Sequence, residues 1–189
     1  MPSKLLTDSG FGKLRELNSQ CQQAMHSNWL SDDLHKWTFW LNLAALLIPI
    51  IILWIVVDRR RFLEIFVFGM LMAMLVTFLD AMGIAYSLWD YPDRFLPISP
   101  RLLPIDFITL PFLYMLVYQR FTSWKSYIIA SLVLALVFSF ILEPVLVWLN
   151  LYETINWKYI YSFPIYFIIA LLVKWLTGIF VAQDSNYQT

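Results

Sequence analysis

Asp80, Asp106 and Glu143 are carboxylates embedded in long apolar runs. An ionised side chain at the centre of a membrane helix costs roughly 2.5–3.5 kcal/mol on insertion scales, so an acid kept there needs a structural or chemical reason. The chemistry open to it is that of acids and bases: pairing with a cation, relaying a proton, or protonating a bound molecule. Three acids brought together also repel one another's charge and retain a proton among them. Lys174 is a fourth ionisable group in an apolar run. It stands near a helix end, and its long stem predicts snorkelling to the interface. Glu64 is one turn from Arg59, Arg60 and Arg61, which predicts a surface ion pair.

The elements that must position these groups are legible as runs of about 20 apolar residues, the length that spans a hydrocarbon core of about 30 Å. Five runs qualify, near 37–57, 62–88, 102–118, 124–149 and 159–181. They predict an all-α integral membrane bundle of five transmembrane helices over 37–182. A weakly amphipathic N-terminal tail, 1–36, precedes it, and a short C-terminal tail, 183–189, follows. Composition agrees. Of 189 residues, 60% are hydrophobic and 14% charged, against roughly 25% charged in soluble domains. Zero formal net charge argues against a nucleic-acid partner. Cys21 is the one cysteine, and His26 and His35 both precede the first run, so no metal site and no cofactor is implied.

Charge in short loops sets the orientation. Arg59, Arg60, Arg61, Arg120 and Lys125 fall on one side, and Lys36, Arg94, Arg101 and Lys158 on the other. The compact arginine triplet assigns its side to the cytoplasm, with the N-terminus outside and the C-terminus inside a bacterial plasma membrane. Depth then places all three acids together. Asp80 lies roughly 27 Å along the second helix, Asp106 about one turn into the third, and Glu143 near the outer end of the fourth. Above them sits 89–101, a structured loop with Pro92, Pro97 and Pro100. Its Trp89, Asp90, Tyr91, Arg94 and Arg101 are candidate ligand-binding residues, with Asp106, Glu143 and Asp80 as candidate catalytic groups. An ion pair from one of these acids to Arg94 or Arg101 is the structural alternative. Pro104, Pro111 and Pro144 beside the acids predict bent helices. Trp89, Trp148, Tyr152, Trp157 and other aromatics near helix ends read first as an interfacial belt. Gly69 with Ala73 offers one face for close helix packing.

The stretch Trp89-Asp90-Tyr91-Pro92-Asp93-Arg94-Phe95-Leu96-Pro97, with Leu103-Pro104-Ile105-Asp106 and Tyr118-Gln119-Arg120-Phe121, carries a resemblance. So do Phe138-Ser139-Phe140-Ile141-Leu142-Glu143-Pro144 and Trp157-Lys158-Tyr159-Ile160-Tyr161-Ser162-Phe163-Pro164. Over about residues 35–178 the chain resembles a family of uncharacterised small polytopic membrane proteins of Bacillus-like, spore-forming Firmicutes. The resemblance implies fold and membrane location, and supplies no activity. Three classes of function are compatible with the residues. The first is a non-enzymatic, partner-binding membrane protein with membrane lipids around it. The second is a membrane-embedded enzyme on a lipid or isoprenoid, with a buried acid protonating an alkene. The third is a proton-coupled small-solute carrier.

Overall fold

The computed structural model describes residues 10–93, 95–96 and 104–187, and Arg94 and Arg101 lie outside them. Among the described residues the chain is all-helical apart from one small ladder. Helix α1 (Gly10–Ser31) buries none of its side chains and leads through a short 3-10 turn into α2 (Trp37–Val56). There follow α3 (Phe62–Ala85), α4 (Leu110–Arg120), α5 (Trp124–Val137), α6 (Glu143–Trp148) and α7 (Tyr159–Tyr187). The segments Trp37–Val56, Arg59–Ala85, Trp124–Trp148 and Tyr159–Gln183 are each long and apolar enough to cross a membrane. The third expected run is shorter: a six-residue π-helical segment, Pro104–Thr109, runs into the eleven residues of α4.

Burial separates an inner from an outer face. Ile65, Phe68, Met72, Tyr114 and Tyr127 are fully buried, while Trp54, Ile55, Leu63, Met74 and Ile129 stand mostly exposed. In water this apolar exterior would be unfavourable at about 25 cal/mol per Å². Helix α3 is central, packing against α4, α7 and the Pro104–Thr109 segment. The expected small face is used there, since a Cβ on Gly69 would overlap the Met115 sulfur of α4. Phe68 and Tyr118 stack at 4.3 Å across the same seam.

Two helices widen where proline interrupts the backbone ladder. Proline offers no N–H and its ring crowds the carbonyl one turn back. Segment Pro104–Thr109 ends two residues before Pro111, and Phe138–Leu142 ends two residues before Pro144. In the second, the Glu143 N–H bonds to the Phe138 carbonyl, five residues back. Asp106 lies within the first widened turn and Glu143 immediately follows the second. Such turns frequently mark functional sites.

Helices α3 and α6 end alike. Leu88 N–H bonds to Gly83 O and Ser87 N–H to Ile84 O, and Leu151 and Asn150 repeat the pattern onto Leu146 and Val147. These are paired Schellman stops, with Ser87 (φ 54°) and Asn150 (φ 56°) left-handed. From them the chain enters β1 (Trp89–Asp90) and β2 (Glu153–Thr154), which pair antiparallel with Trp89 opposite Thr154. The sequence signalled a loop here and no ladder.

At the opposite end, Lys174 departs from the expected snorkelling. It is buried, and its ammonium donates to the Phe121 and Thr122 carbonyls that close α4, 4.1 Å from the Tyr127 ring centre. Glu64 makes the expected ion pair with Arg61 at 2.8 Å, and it also accepts from the Tyr118 hydroxyl.

Candidate functional site

A cavity of about 250 Å³ lies among α2, α3, α6, α7 and the Pro104–Thr109 segment, beneath the β1–β2 ladder. Its walls are mostly aliphatic and aromatic, and Asp80, Asp106 and Glu143 all line it. The sequence-based co-location of the three acids is therefore the geometry observed. Among the described residues that line the cavity there is no lysine, arginine or histidine. The acids do not converge as metal ligands would: among the described residues no group of three His, Cys, Asp or Glu is placed to hold a metal ion.

Each acid is held differently. Asp80, near the end of α3, accepts from the Trp89 indole at 2.9 Å and from the Tyr91 hydroxyl at 2.6 Å. Glu143, at the head of α6, accepts from Ser162 Oγ at 2.9 Å and the Tyr166 hydroxyl at 2.8 Å. Ser162 in turn accepts from the Trp157 indole at 2.8 Å. Both acids thus rest on an indole and a phenol: the phenol donates directly in each case, and the indole donates directly to Asp80 but reaches Glu143 through Ser162. Asp106 is about nine-tenths buried, and its Oδ2 has no hydrogen-bond partner among the described residues.

The roof is aromatic. Trp89 and Trp157 meet edge to face at 4.9 Å, and Tyr91 and Tyr152 lie 5.5 Å apart. Burial and the nearby Asp106 and Asp80 push the Tyr91 hydroxyl up, which keeps it a donor. Burial does the same for Tyr152. The loop that carries Trp89 and Tyr91 is tied down on its far side. Lys36 bridges Asp93 at 2.7 Å and Asp32 at 2.8 Å, the Trp29 indole donates to Phe95 O, and Phe39 stacks on Phe95. The Asp32 and Asp93 carboxylates hold the Lys36 ammonium well above the usual lysine range.

Among the sequence candidates, Trp89 and Tyr91 line the cavity with the three acids. Asp90 is not part of its lining; its Oδ1 accepts from the Tyr91 N–H. Arg94 and Arg101 lie outside the described residues, and with them the expected ion pair to one of the acids. The cavity is also lined by Ser162 and Tyr166, which are not among the sequence candidates, and by Tyr152 and Trp157, which the sequence pattern puts in an interfacial belt. One signal was present: Ser162 and Tyr166 are four apart, and so on one face, in an apolar helix. No protein family, curated protein or solved structure matches this chain.

Proposed function

We propose that the chain is a multi-pass plasma-membrane protein of five spans whose outer half is a binding pocket for a small, largely apolar molecule. The observation that carries this reading is the 250 Å³ cavity, where apolar and aromatic walls surround a few precisely held polar groups. That combination is what ligand sites offer. The exposed apolar exterior of the four long helices supports placing the bundle in lipid. The 17-residue third segment then spans as a shorter, bent element, which is tolerated where protein surrounds the break. Membership of the Firmicutes family named above belongs to the same proposal. In this reading the protein holds its ligand and does not convert it. The enzymatic alternative has one observation in its favour: Asp106 faces the cavity as an acid without a partner on Oδ2.

Native mass spectrometry with organic extraction tests the pocket. The purified chain is expected to carry a small molecule at near one per chain, and Leu146→Trp, which fills the cavity wall, to carry none. A wild-type chain that arrives bare, identical to the variant, overturns the reading. A chemically altered molecule released on incubation would favour the enzyme.

Topology has its own test. In a Cys21→Ser background, cysteine placed at the exposed Pro92 is expected to react with an impermeant maleimide in intact cells, and cysteine at Thr122 only after lysis. The reverse pattern would invert the assignment of the Arg59–Arg61 turn to the cytoplasm.

A further inference from the structure

We propose that the molecule this pocket accepts is a cation, an organic ammonium with a compact apolar body, its head against Asp106 and Glu143. This deepens the pocket reading and rests on it. Most donors of the cavity wall are already spent on its own acceptors. The Trp89 indole and Tyr91 hydroxyl are committed to Asp80, Ser162 and Tyr166 to Glu143, and the Trp157 indole to Ser162. Thr109 donates to the Ala45 carbonyl. Apart from the three acids themselves, among the described cavity-lining residues this leaves the Tyr152 hydroxyl as the one neutral donor with no hydrogen bond. What the walls still present is acceptor capacity, above all Asp106 Oδ2, buried and unpartnered.

A ligand that complements such a surface brings donors, and the strongest donor for a carboxylate is a charged one. An anion would meet acceptors and like charge. A buried carboxylate is costly unless a cation or hydrogen bonds face it, so an ammonium beside Asp106 satisfies the protein and the ligand together. The rings of Trp89, Tyr91, Tyr152 and Trp157 add electron-rich surface of the kind that attracts ammonium groups. Size narrows the class. An apolar cavity of about 150 Å³ admits benzene, so 250 Å³ suits a ring with a short aminoalkyl arm.

The test uses three near-isosteric probes, 2-phenylethylamine, 2-phenylethanol and phenylacetate, titrated calorimetrically into the full chain in neutral detergent. The amine is expected to bind at least roughly tenfold tighter than the alcohol, and phenylacetate not at all. Asp106→Asn is expected to lower amine affinity by roughly tenfold or more while the alcohol is unaffected, which also shows the variant folded. Alcohol binding equal to or tighter than amine binding overturns the cation inference and leaves the pocket standing. So does an amine affinity that Asp106→Asn does not change. If no probe binds and the chain carries no molecule on purification, pocket and inference fall together.

Discussion

Gly83→Ala is expected to lower the melting temperature of the detergent-solubilised chain by roughly 6–12 °C, the equivalent of about 3 kcal/mol in a protein of this size. A Cβ at Gly83 would fall inside van der Waals contact of three carbons of the Trp89 indole. That ring has nowhere to go. Its nitrogen is bonded to Asp80, its edge meets Trp157, and Tyr152 lies on a further side. Overpacking costs about 1–3 kcal/mol, and releasing the indole from a carboxyl costs about 1.5–3 more if that acid is charged. Gly178→Ala is the matched control, because a Cβ there meets nothing within 4 Å. In an exposed helical position alanine is better than glycine by about 1 kcal/mol. Equal melting temperatures for the two variants would show that Trp89 is not wedged against α3.

Asp106 and Glu143 are expected to respond with opposite signs when replaced by leucine, although both are buried acids on one cavity. Glu143→Leu removes the acceptor for Ser162 and Tyr166 and strands two buried donors, at about 2–4 kcal/mol. Asp106→Leu strands no donor found among the described residues and replaces an incompletely bonded acid with an apolar group. Removing a buried polar group that lacks its hydrogen bonds relieves its desolvation cost, which is stabilising here by about 1–3 kcal/mol. Thermal melts of both variants without added ligand check the contrast. A large loss for Asp106→Leu would make Asp106 a structural residue and remove the main support for its role in binding. If the contrast holds, the protein keeps Asp106 at some expense in stability, which is the pattern of a group retained for what it binds.

Much of this architecture follows from local pattern. Apolar runs fix where the helices are, because a spanning length of chain without charge has few other uses. Counting residues along those runs places Asp80, Asp106 and Glu143 at one end, and the cavity bears that placement out. The partners of the acids were harder to read. Ser162 and Tyr166 reach Glu143 from 19 and 23 residues away, and nothing local marks one serine and one tyrosine in α7 as special. Lys174 misled for the same reason. Depth alone predicts snorkelling, while its destination is a pair of carbonyls more than 50 residues distant. The β1–β2 ladder depends on two helices stopping side by side, which no single stretch encodes.

The two π turns make the pocket depend on a count. A π turn is what a helix does with one residue more than its α register holds. Removing Ser139, Phe140 or Ile141 from Phe138–Leu142 would let the ladder close as an ordinary α-helix and rotate everything beyond it by roughly 100°. Glu143 would then swing away from Ser162 and Tyr166 with every side chain of the pocket still present in the sequence. The same holds for Asp106 when Phe107 or Ile108 is removed from Pro104–Thr109. A one-residue deletion at either place, silent in composition and nearly silent in hydropathy, would erase the site. Among relatives of this chain, shared spacing from each acid to the proline that follows it is therefore a sharper marker of a shared pocket than the acids themselves.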